Sequence, residues 1–236
     1  MGIFKVEIKK NEEIINSQEK WHKKGKPMKE NHWKAGRSAM ELASYILGGN
    51  GYLPKEIEDV LIKIGCKGDN VFKGEPEKIT SLVGRGTGRH HDLFLEQSGE
   101  IVVGIEAKSD ESLGKLISKE FESKNISDNK IKRINTLYKN IYGCDPCDGV
   151  DIKYQLLTGI SATLLEAERK DISKALFLII TLKKEGSYKE KKFNENMNDI
   201  NVFIDSLERY KSGDFYKFDA YPNVNLYIDH IEVDVN

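Results

Sequence analysis

Apolar residues recur along the chain with two different spacings, and each spacing predicts a different element. Between residues 38 and 48 they return every three or four positions, which predicts a helix. Ser38 is a good N-cap residue for this helix, and Glu41 stands where a capping box places its glutamate. Pro54 opens a second predicted helix that ends before Gly65. Further helices are expected at about residues 112–124, 128–141, 151–170 and 194–210.

Strands are predicted where apolar residues alternate with polar ones or form short unbroken runs. Residues 91–96 and 100–108 form two such segments around a tight turn at Ser98-Gly99. The run from Ala175 to Leu182 is almost wholly apolar, which is typical of a strand buried on both faces. Weaker signals predict strands at residues 1–10, 79–83 and 225–234. The order of these elements predicts an α/β fold in which helices flank a mixed β-sheet on both faces.

The composition is that of a globular protein, with 39% hydrophobic and 32% charged residues among 236. This length allows one sizeable core without requiring a second independent domain. No apolar run approaches the roughly 20 residues that cross a bilayer, and the first residues carry no apolar signal segment. We therefore expect neither a membrane protein nor a secreted one. The odd number of cysteines, three, argues against a disulfide framework and predicts a cytoplasmic location.

The net charge of −1 does not by itself indicate a nucleic-acid partner. Basic residues cluster locally instead, and such clusters are more often solvated faces than phosphate-binding tracks. Arg85 and Arg89 lie in a glycine-rich segment, residues 84–89, that leads directly into the strand at residues 91–96. Arginines in such a segment suit phosphate, so both are candidate substrate-binding residues. The segment lacks, however, the strand-then-helix context of a nucleotide-binding loop.

Asp92, Glu106 and Lys108 are the residues whose chemistry is most informative. Glu106 and Lys108 end an otherwise apolar strand, where two charges are costly to bury unless they are paired or bind a metal. Their spacing of two residues directs both side chains to the same face of the sheet. The pattern Asp…Glu-x-Lys is common by chance in a chain with 38 acidic residues, so the strand context is what gives it weight.

The turn between the two strands decides whether Asp92 joins this face. A three-residue loop, Gln97–Gly99, puts Asp92 on the same face as Glu106, whereas a two-residue turn separates the two carboxylates. The longer loop also offers Gly99 the left-handed conformation that such loops need. It collects five aliphatic residues on the opposite face: Leu93, Leu95, Ile101, Val103 and Ile105. We therefore predict a loop with an odd number of residues, and alternation then sends His91 to the aliphatic face.

Two carboxylates and a lysine suit the metal-assisted hydrolysis of a phosphodiester. Asp92 and Glu106 are hard oxygen ligands for Mg²⁺ or Mn²⁺, and the backbone carbonyl of Ala107 is a candidate third ligand. Lys108 would orient or deprotonate the attacking water, or stabilise developing negative charge. The alternative from the residues alone is a surface hairpin with an ordinary Glu–Lys ion pair.

The chain resembles the PD-(D/E)xK superfamily, which is also called restriction-endonuclease-like. Asp92, the triplet Glu106-Ala107-Lys108 and the order helix, strands, helix, strand carry the resemblance. His91 stands in place of the proline that gives the motif its name. An uncharacterised bacterial branch of the superfamily is similar to further segments of the chain, namely residues 33–39, Glu41, residues 104–108 and residues 154–159.

The resemblance implies a restriction-endonuclease-like core (αβββαβ) at about residues 33–182. This core would belong to a single nuclease-like domain over residues 1–236, with the ends, 1–32 and 183–236, packed on it. The implied activity is that of a Mg²⁺- or Mn²⁺-dependent nuclease that acts on DNA in restriction, repair or defence against phage. A homodimer is compatible with the resemblance.

Two auxiliary site residues are also implied by the resemblance. Glu41 would contact the metal from the first core helix, and Gln155 would support the site or touch the substrate backbone. Their alternatives are a helix cap for Glu41 and an exposed helix position for Gln155. A different class of function also stays open: a nuclease-fold binding or regulatory subunit of a defence or mobile-element system. The intact set of Asp92, Glu106 and Lys108 favours the enzyme, because a module without catalysis has no chemical reason to keep all three.

Overall fold

The computed structural model describes residues 2–25, 33–68, 71–84, 86–186 and 189–235, which form a nine-stranded sheet and seven α-helices. The strands are β1 (Val6–Lys10), β2 (Glu13–Ile14), β3 (Phe72–Thr80), β4 (Arg89–Gln97), β5 (Ile101–Lys108), β6 (Lys174–Lys184), β7 (Lys211–Ser212), β8 (Phe215–Tyr216) and β9 (Asn225–Val235). The helices are α1 (Gln18–Gly25), α2 (Ser38–Gly48), α3 (Lys55–Lys63), α4 (Ile117–Phe121), α5 (Asp128–Tyr142), α6 (Tyr154–Arg169) and α7 (Glu190–Ser206).

The sheet is mixed, and its strands lie in the order β2-β1-β3-β4-β5-β6-β9-β8-β7. Strand β4 is antiparallel to both of its neighbours, β3 and β5, whereas β5, β6 and β9 run parallel. Helices α1, α2 and α3 contribute to the core on one face, and α4, α5, α6 and α7 to the core on the other. The predicted α/β fold, with helices on both faces of a mixed sheet, is therefore confirmed.

The two central strands explain why the middle of the sheet could be recognised from its sequence. β6 is buried from Ala175 to Leu182, because helices cover both of its faces. β5 is buried along all 8 of its residues, including the charged Glu106 and Lys108 at its end. Two ionisable side chains are thus held inside a sheet that is otherwise packed with aliphatic residues.

The β4–β5 hairpin has the odd loop that the hydrophobic pattern predicted. Gln97 pairs with Ile101 and Leu93 with Ile105, so the loop contains three residues, Ser98 to Glu100. Gly99 has the expected left-handed conformation, with φ 70°. The loop lies one residue further along the chain than predicted, which leaves the face of each side chain unchanged. The five aliphatic residues of the hairpin all pack on the core that α1, α2 and α3 cover: Leu93, Leu95, Ile101, Val103 and Ile105.

Several element boundaries differ from those predicted. β3 extends over Phe72–Thr80, where only a short strand at residues 79–83 was expected. Its first buried positions, Phe72 and Gly74, face the core of α1, α2 and α3, whereas Thr80 bonds to Glu166 on α6. The hydrophobic signal is weak because small residues hold most of the buried positions and the alternation does not run through the whole strand. α4 is confined to Ile117–Phe121 because the segment before it is an extended loop with Gly114 at φ 78°.

The start of α2 also differs in its capping. Arg37 takes the N-cap position, and the hydroxyl of Ser38 instead donates a hydrogen bond to Glu111 Oε1 at 2.8 Å. Ser38 therefore ties the helix to the loop that follows β5. Within the part of the chain that the structure describes, no helix is both long and apolar enough to cross a membrane.

Candidate active site

Asp92, Glu106 and Lys108 come together where β5 ends and β4 begins. The hairpin pairing ends at Leu93–Ile105, and Asp92 and Glu106 are the next residues of the two strands. Lys108 Nζ lies 2.7 Å from Glu106 Oε1. Asp92 Oδ2 accepts a hydrogen bond from the Ala107 backbone N–H at 2.7 Å. The structure thus gathers the three residues that the sequence analysis selected, around the peptide of Ala107.

Glu106 is held by two cations rather than one. Its side chain is only 1% exposed, and a buried carboxylate is strongly destabilising unless it is paired. Lys108 binds one carboxylate oxygen, and the Arg89 guanidinium forms an ion pair with the other, Oε2. Arg89, a candidate substrate-binding residue by sequence, is therefore part of the carboxylate site itself. Burial lowers the pKa of Lys108, while the Asp92 carboxylate opposes that effect.

A break in the β3–β4 ladder shapes this end of the sheet. Pairing continues on both sides of Glu77 and Asp92, but these two residues are not paired with each other. Glu77 adopts a left-handed conformation, φ 49°, which is uncommon for a residue other than glycine. At the break, the Asp92 side chain bonds to the Ala107 backbone of the next strand. The distortion therefore frees Asp92 from regular pairing and directs its carboxylate toward the end of β5.

The same break makes one prediction wrong. His91 was expected on the aliphatic face with Leu93, but its ring centroid lies 5.4 Å from that of Phe94, on the side of α6. Its Nε2 lies 3.1 Å from the hydroxyl oxygen of Thr80. His91 departs from alternation next to the position at which Glu77 and Asp92 are not paired. Burial lowers the pKa of His91 to about 3, so the ring is neutral inside the core.

Glu77 is a further carboxylate that no sequence motif marked. Burial raises its pKa to about 8, and the neighbouring charge of Asp92 adds to the rise. Its Oε2 lies 3.4 Å from His90 Nδ1. The Glu77 position becomes visible only once β3 is recognised as a strand antiparallel to β4, which its charged sequence conceals.

A cleft of about 770 Å³ opens beside Arg89. Its walls include the segment Gly86–His90, the first residues of α6 and the N-terminal part of α5. Among the described residues, the charged side chains that line it are mostly cationic: Arg89, Lys115, Lys130 and Arg133, with Glu120, which pairs with Lys130, as the one carboxylate. Such a surface attracts anions, and its charge is local because the whole chain is near neutrality.

Gln155 lies on the wall of this cleft, at the start of α6. Its Oε1 atom is buried and has no hydrogen-bond partner among the residues that the structure describes. A buried polar atom without a partner is uncommon in folded proteins and is often explained by an absent ligand or water. Arg85, the other candidate for substrate binding, lies outside the described residues.

Arg133 fastens the glycine-rich segment to α5. Its Nε donates to the carbonyl of Val83 at 3.0 Å, and its Nη1 donates to the carbonyl of Thr87 at 3.1 Å. The segment between these carbonyls needs glycine, because Gly84 and Gly86 have φ of 88° and 120°. One arginine thus holds both ends of the segment that leads to Arg89.

Residues 14–235 of the chain match the model of the family DUF6946. The chain belongs to this family. DUF6946 is described as a domain of unknown function, and its matched range contains every residue of the site described above. No curated protein and no solved structure matches the chain. The chemistry of this DUF6946 chain must therefore be argued from its own residues.

Glu41, the predicted auxiliary residue of the DUF6946 chain, has other partners. It accepts a hydrogen bond from the Gly36 backbone N–H at 2.6 Å, and its two oxygens lie 3.0 and 3.1 Å from Lys184 Nζ. Across the described residues, it makes no hydrogen bond or ion pair with Asp92, Glu106 or Lys108. The structure therefore brings Arg89 to the catalytic candidates and links Glu41 to β6 instead.

The donor set of the DUF6946 site fits Mg²⁺ or Mn²⁺ under one condition. Mg²⁺ commonly takes only one or two carboxylates and completes its shell with water and substrate phosphate, and Asp92 and Glu106 supply two hard oxygen donors. Among the described residues, however, no three His, Cys, Asp or Glu side chains form a ready set of ligands. Arg89 already pairs with one Glu106 oxygen, so a cation at Glu106 Oε2 must take its place.

Proposed function

We propose that this protein is a metal-dependent nuclease that hydrolyses phosphodiester bonds, with DNA as its substrate. The observation that carries the proposal is the grouping of Asp92, Glu106 and Lys108 at the end of β5. Arg89, which pairs with Glu106, connects this group to the cleft, whose wall it helps to form. Carboxylates provide metal ligands, and the cleft provides a surface for a polyanion. Neither feature alone separates a nuclease from a structural ion pair, but together they match what the reaction requires.

Each residue has a role in this proposal. Asp92 and Glu106 would hold Mg²⁺ or Mn²⁺ with the help of the Ala107 carbonyl, and the bound ion would polarise the phosphate and activate water. Lys108 would place a proton donor or acceptor beside that water, and burial lowers the pKa of its ammonium group. Arg89, together with Gln155 and the cleft lysines, would position the phosphate backbone.

The remaining parts of the proposal rest on the resemblance to PD-(D/E)xK nucleases. They are a restriction-endonuclease-like core within a single domain, a part in restriction, repair or phage defence, and the preference for DNA over RNA. Sheet order and helix placement support the first of these, because β3, β4, β5 and β6 follow α2 and α3 in the chain and α6 precedes β6. The predicted homodimer stays a prediction, which light scattering of the purified protein would test.

The test is a nuclease assay with Mg²⁺ or Mn²⁺ on single- and double-stranded DNA and RNA. We expect the wild type to cleave DNA and Lys108→Ala to lose about two orders of magnitude in rate, the scale of removing one charge-stabilising group. Lys174→Ala is the matched control, because Lys174 pairs with Glu100 at the other end of the central strands. Wild type as inert as Lys108→Ala on every substrate would contradict the proposal.

One observation favours a second candidate, a nucleic-acid-binding protein without catalysis. Each oxygen of Glu106 forms an ion pair, with Lys108 or with Arg89, so the charge of this carboxylate is balanced without any metal. In that case the cleft would bind nucleic acid with the same affinity in EDTA and in Mg²⁺. Fluorescence anisotropy with a labelled DNA strand in the two buffers separates the candidates, and no cleavage product would form in either.

A further inference from the structure

Arg89 pairs with Glu106 at the position that the proposed metal needs. We propose that Arg89 is an internal stand-in for the cation, and that it leaves Glu106 for a phosphate in the cleft when the metal binds. The inference rests on the proposed nuclease function and adds a regulatory contact to the same site. Binding of metal and of nucleic acid would then favour each other, because the metal displaces Arg89 from Glu106 and a phosphate of the nucleic acid binds the displaced arginine.

The first step is competition for Glu106. Its two oxygens are shared out between Lys108 and Arg89, and its side chain is 1% exposed, so a metal that binds Glu106 must displace one of these groups. Lys108 is 8% exposed and lies outside the cleft wall, whereas Arg89 forms part of that wall and is 14% exposed. Of the two cations, Arg89 is therefore the one that could move from Glu106 into the cleft.

The second step is the incomplete pairing of Arg89. Its Nε atom is buried and has no hydrogen-bond partner among the described residues, although guanidinium groups usually use several donors when they are buried. A phosphate accepts two parallel N–H donors from one guanidinium, a geometry that a single carboxylate oxygen of Glu106 does not offer. The cleft beside Arg89 is where such a phosphate would enter.

The third step is electrostatic. A divalent cation at Asp92 and Glu106 would place two positive charges against the guanidinium, and like charges that are poorly solvated repel strongly. A phosphate at Arg89 compensates that repulsion. Since coupling between two ligands is reciprocal, DNA should raise the affinity for metal as much as metal raises the affinity for DNA.

The experiment measures two affinities in the same variants. Mn²⁺ binding is followed by the electron paramagnetic resonance signal of the free ion, and DNA binding by anisotropy of a labelled 12-nucleotide strand in EDTA. We expect Arg89→Ala to bind Mn²⁺ about tenfold more tightly and DNA about tenfold more weakly than the wild type. Arg89→Gln should change both affinities in the same directions, and it serves if the alanine variant fails to fold.

Two further variants make the result specific. Lys115→Ala removes a cation from the same cleft that makes no ion pair with Glu106, so it should weaken DNA binding and leave Mn²⁺ binding unchanged. Glu106→Gln should abolish Mn²⁺ binding. If Arg89→Ala and the wild type bind Mn²⁺ equally and Glu106→Gln does not, the metal site stands and the stand-in role of Arg89 is overturned. If neither wild type nor Arg89→Ala binds Mn²⁺, both this inference and the proposed function fail.

Discussion

Two glutamates of this protein are equally buried, but they differ in the groups that pair with them and in the roles that we infer for them. Glu41 and Glu106 are each 1% exposed, and each pairs with a lysine from a central strand, Lys184 or Lys108. The resemblance to PD-(D/E)xK nucleases made both of them candidate metal ligands. The structure distinguishes them by their second partner.

The second partner of Glu41 is the backbone N–H of Gly36, whereas that of Glu106 is the long side chain of Arg89, which lines the cleft. Glu41 holds the turn before α2 through the Gly36 N–H and the end of β6 through Lys184, so this carboxylate links α2 to β6. Arg89 can leave Glu106 by rotating into the cleft that it lines. A buried carboxylate is thus a better functional candidate when its second partner is a side chain at a cleft than when that partner is a backbone N–H.

The largest expected effect separates the two glutamates by activity. Glu106→Gln removes the charge that would hold the metal, so we expect cleavage to fall by about three orders of magnitude, as for other essential charged groups. Glu41→Gln keeps an oxygen for Gly36 and should retain activity within about tenfold. Initial rates on the best DNA substrate, measured with folded protein, make the comparison. A loss of a hundredfold or more in Glu41→Gln would restore Glu41 as a metal contact.

Glu41 should matter for stability, although it should matter little for activity. Glu41→Ala removes both the acceptor of Gly36 and the partner of Lys184, so the free energy of unfolding should decrease by about 3 kcal/mol. Urea denaturation at neutral pH measures it. Tyr45→Phe, on the same helix but with its hydroxyl bonded to Glu56 on α3, is the matched control and should cost about 1 kcal/mol or less. An unchanged midpoint for Glu41→Ala would refute the structural role.

Acid should lower the free energy of unfolding through His91, which is buried on β4 close to the Glu106 site. The pKa of this histidine is about 3 in the folded protein and about 6.5 when exposed, because burial disfavours its charged form. Below pH 6.5 the unfolded state binds the additional proton, so stability falls as pH decreases toward 3, by up to about 1.4 kcal/mol per pH unit. His91→Gln should have a slope smaller by that amount in urea titrations between pH 4.5 and 6.5. Equal slopes for variant and wild type would contradict the buried neutral ring.

The smallest expected effect is on DNA affinity, and it should distinguish a lysine of the cleft from the lysine that pairs with Glu41. Lys130 lines the cleft, where it pairs with Glu120 at 2.7 Å, whereas Lys184 pairs with the buried Glu41. Lys130→Ala should weaken DNA binding about fivefold and lower the slope of log affinity against log salt by about 0.7 to 0.9, the amount for one phosphate contact. Lys184→Ala should change neither quantity. Anisotropy titrations at several salt concentrations in EDTA provide both numbers. Equal effects of the two lysines would contradict the proposal that DNA binds in the cleft.

Much of this arrangement was predictable because binary patterning constrains a hairpin. An odd loop was required to place Leu93, Leu95 and Ile105 on one face, and the same parity brought Asp92 to Glu106. β6 was recognisable because both of its faces are covered. These inferences use periodicity alone, which a sequence records directly.

The remainder depends on where strands meet, which periodicity does not record. The Arg89–Glu106 pair and the position of Glu77 require the register of β3 on β4, and β3 carries small and charged residues rather than aliphatic ones. The reversal at His91 lies beside the unpaired position of Glu77 and Asp92, which the sequence does not mark. For Glu41 the capping and metal readings predicted the same residue type, so only its contacts with Gly36 and Lys184 could separate them.

The most direct test of the contrast between the two glutamates is a crystal structure of the protein soaked in Mn²⁺, with anomalous scattering recorded at the manganese edge. The account predicts an anomalous peak within coordinating distance of Asp92 and Glu106, with Arg89 moved away from Glu106 and no peak at Glu41. An Arg89–Glu106 pair that persists in saturating Mn²⁺, with no peak at Asp92 and Glu106, would contradict it.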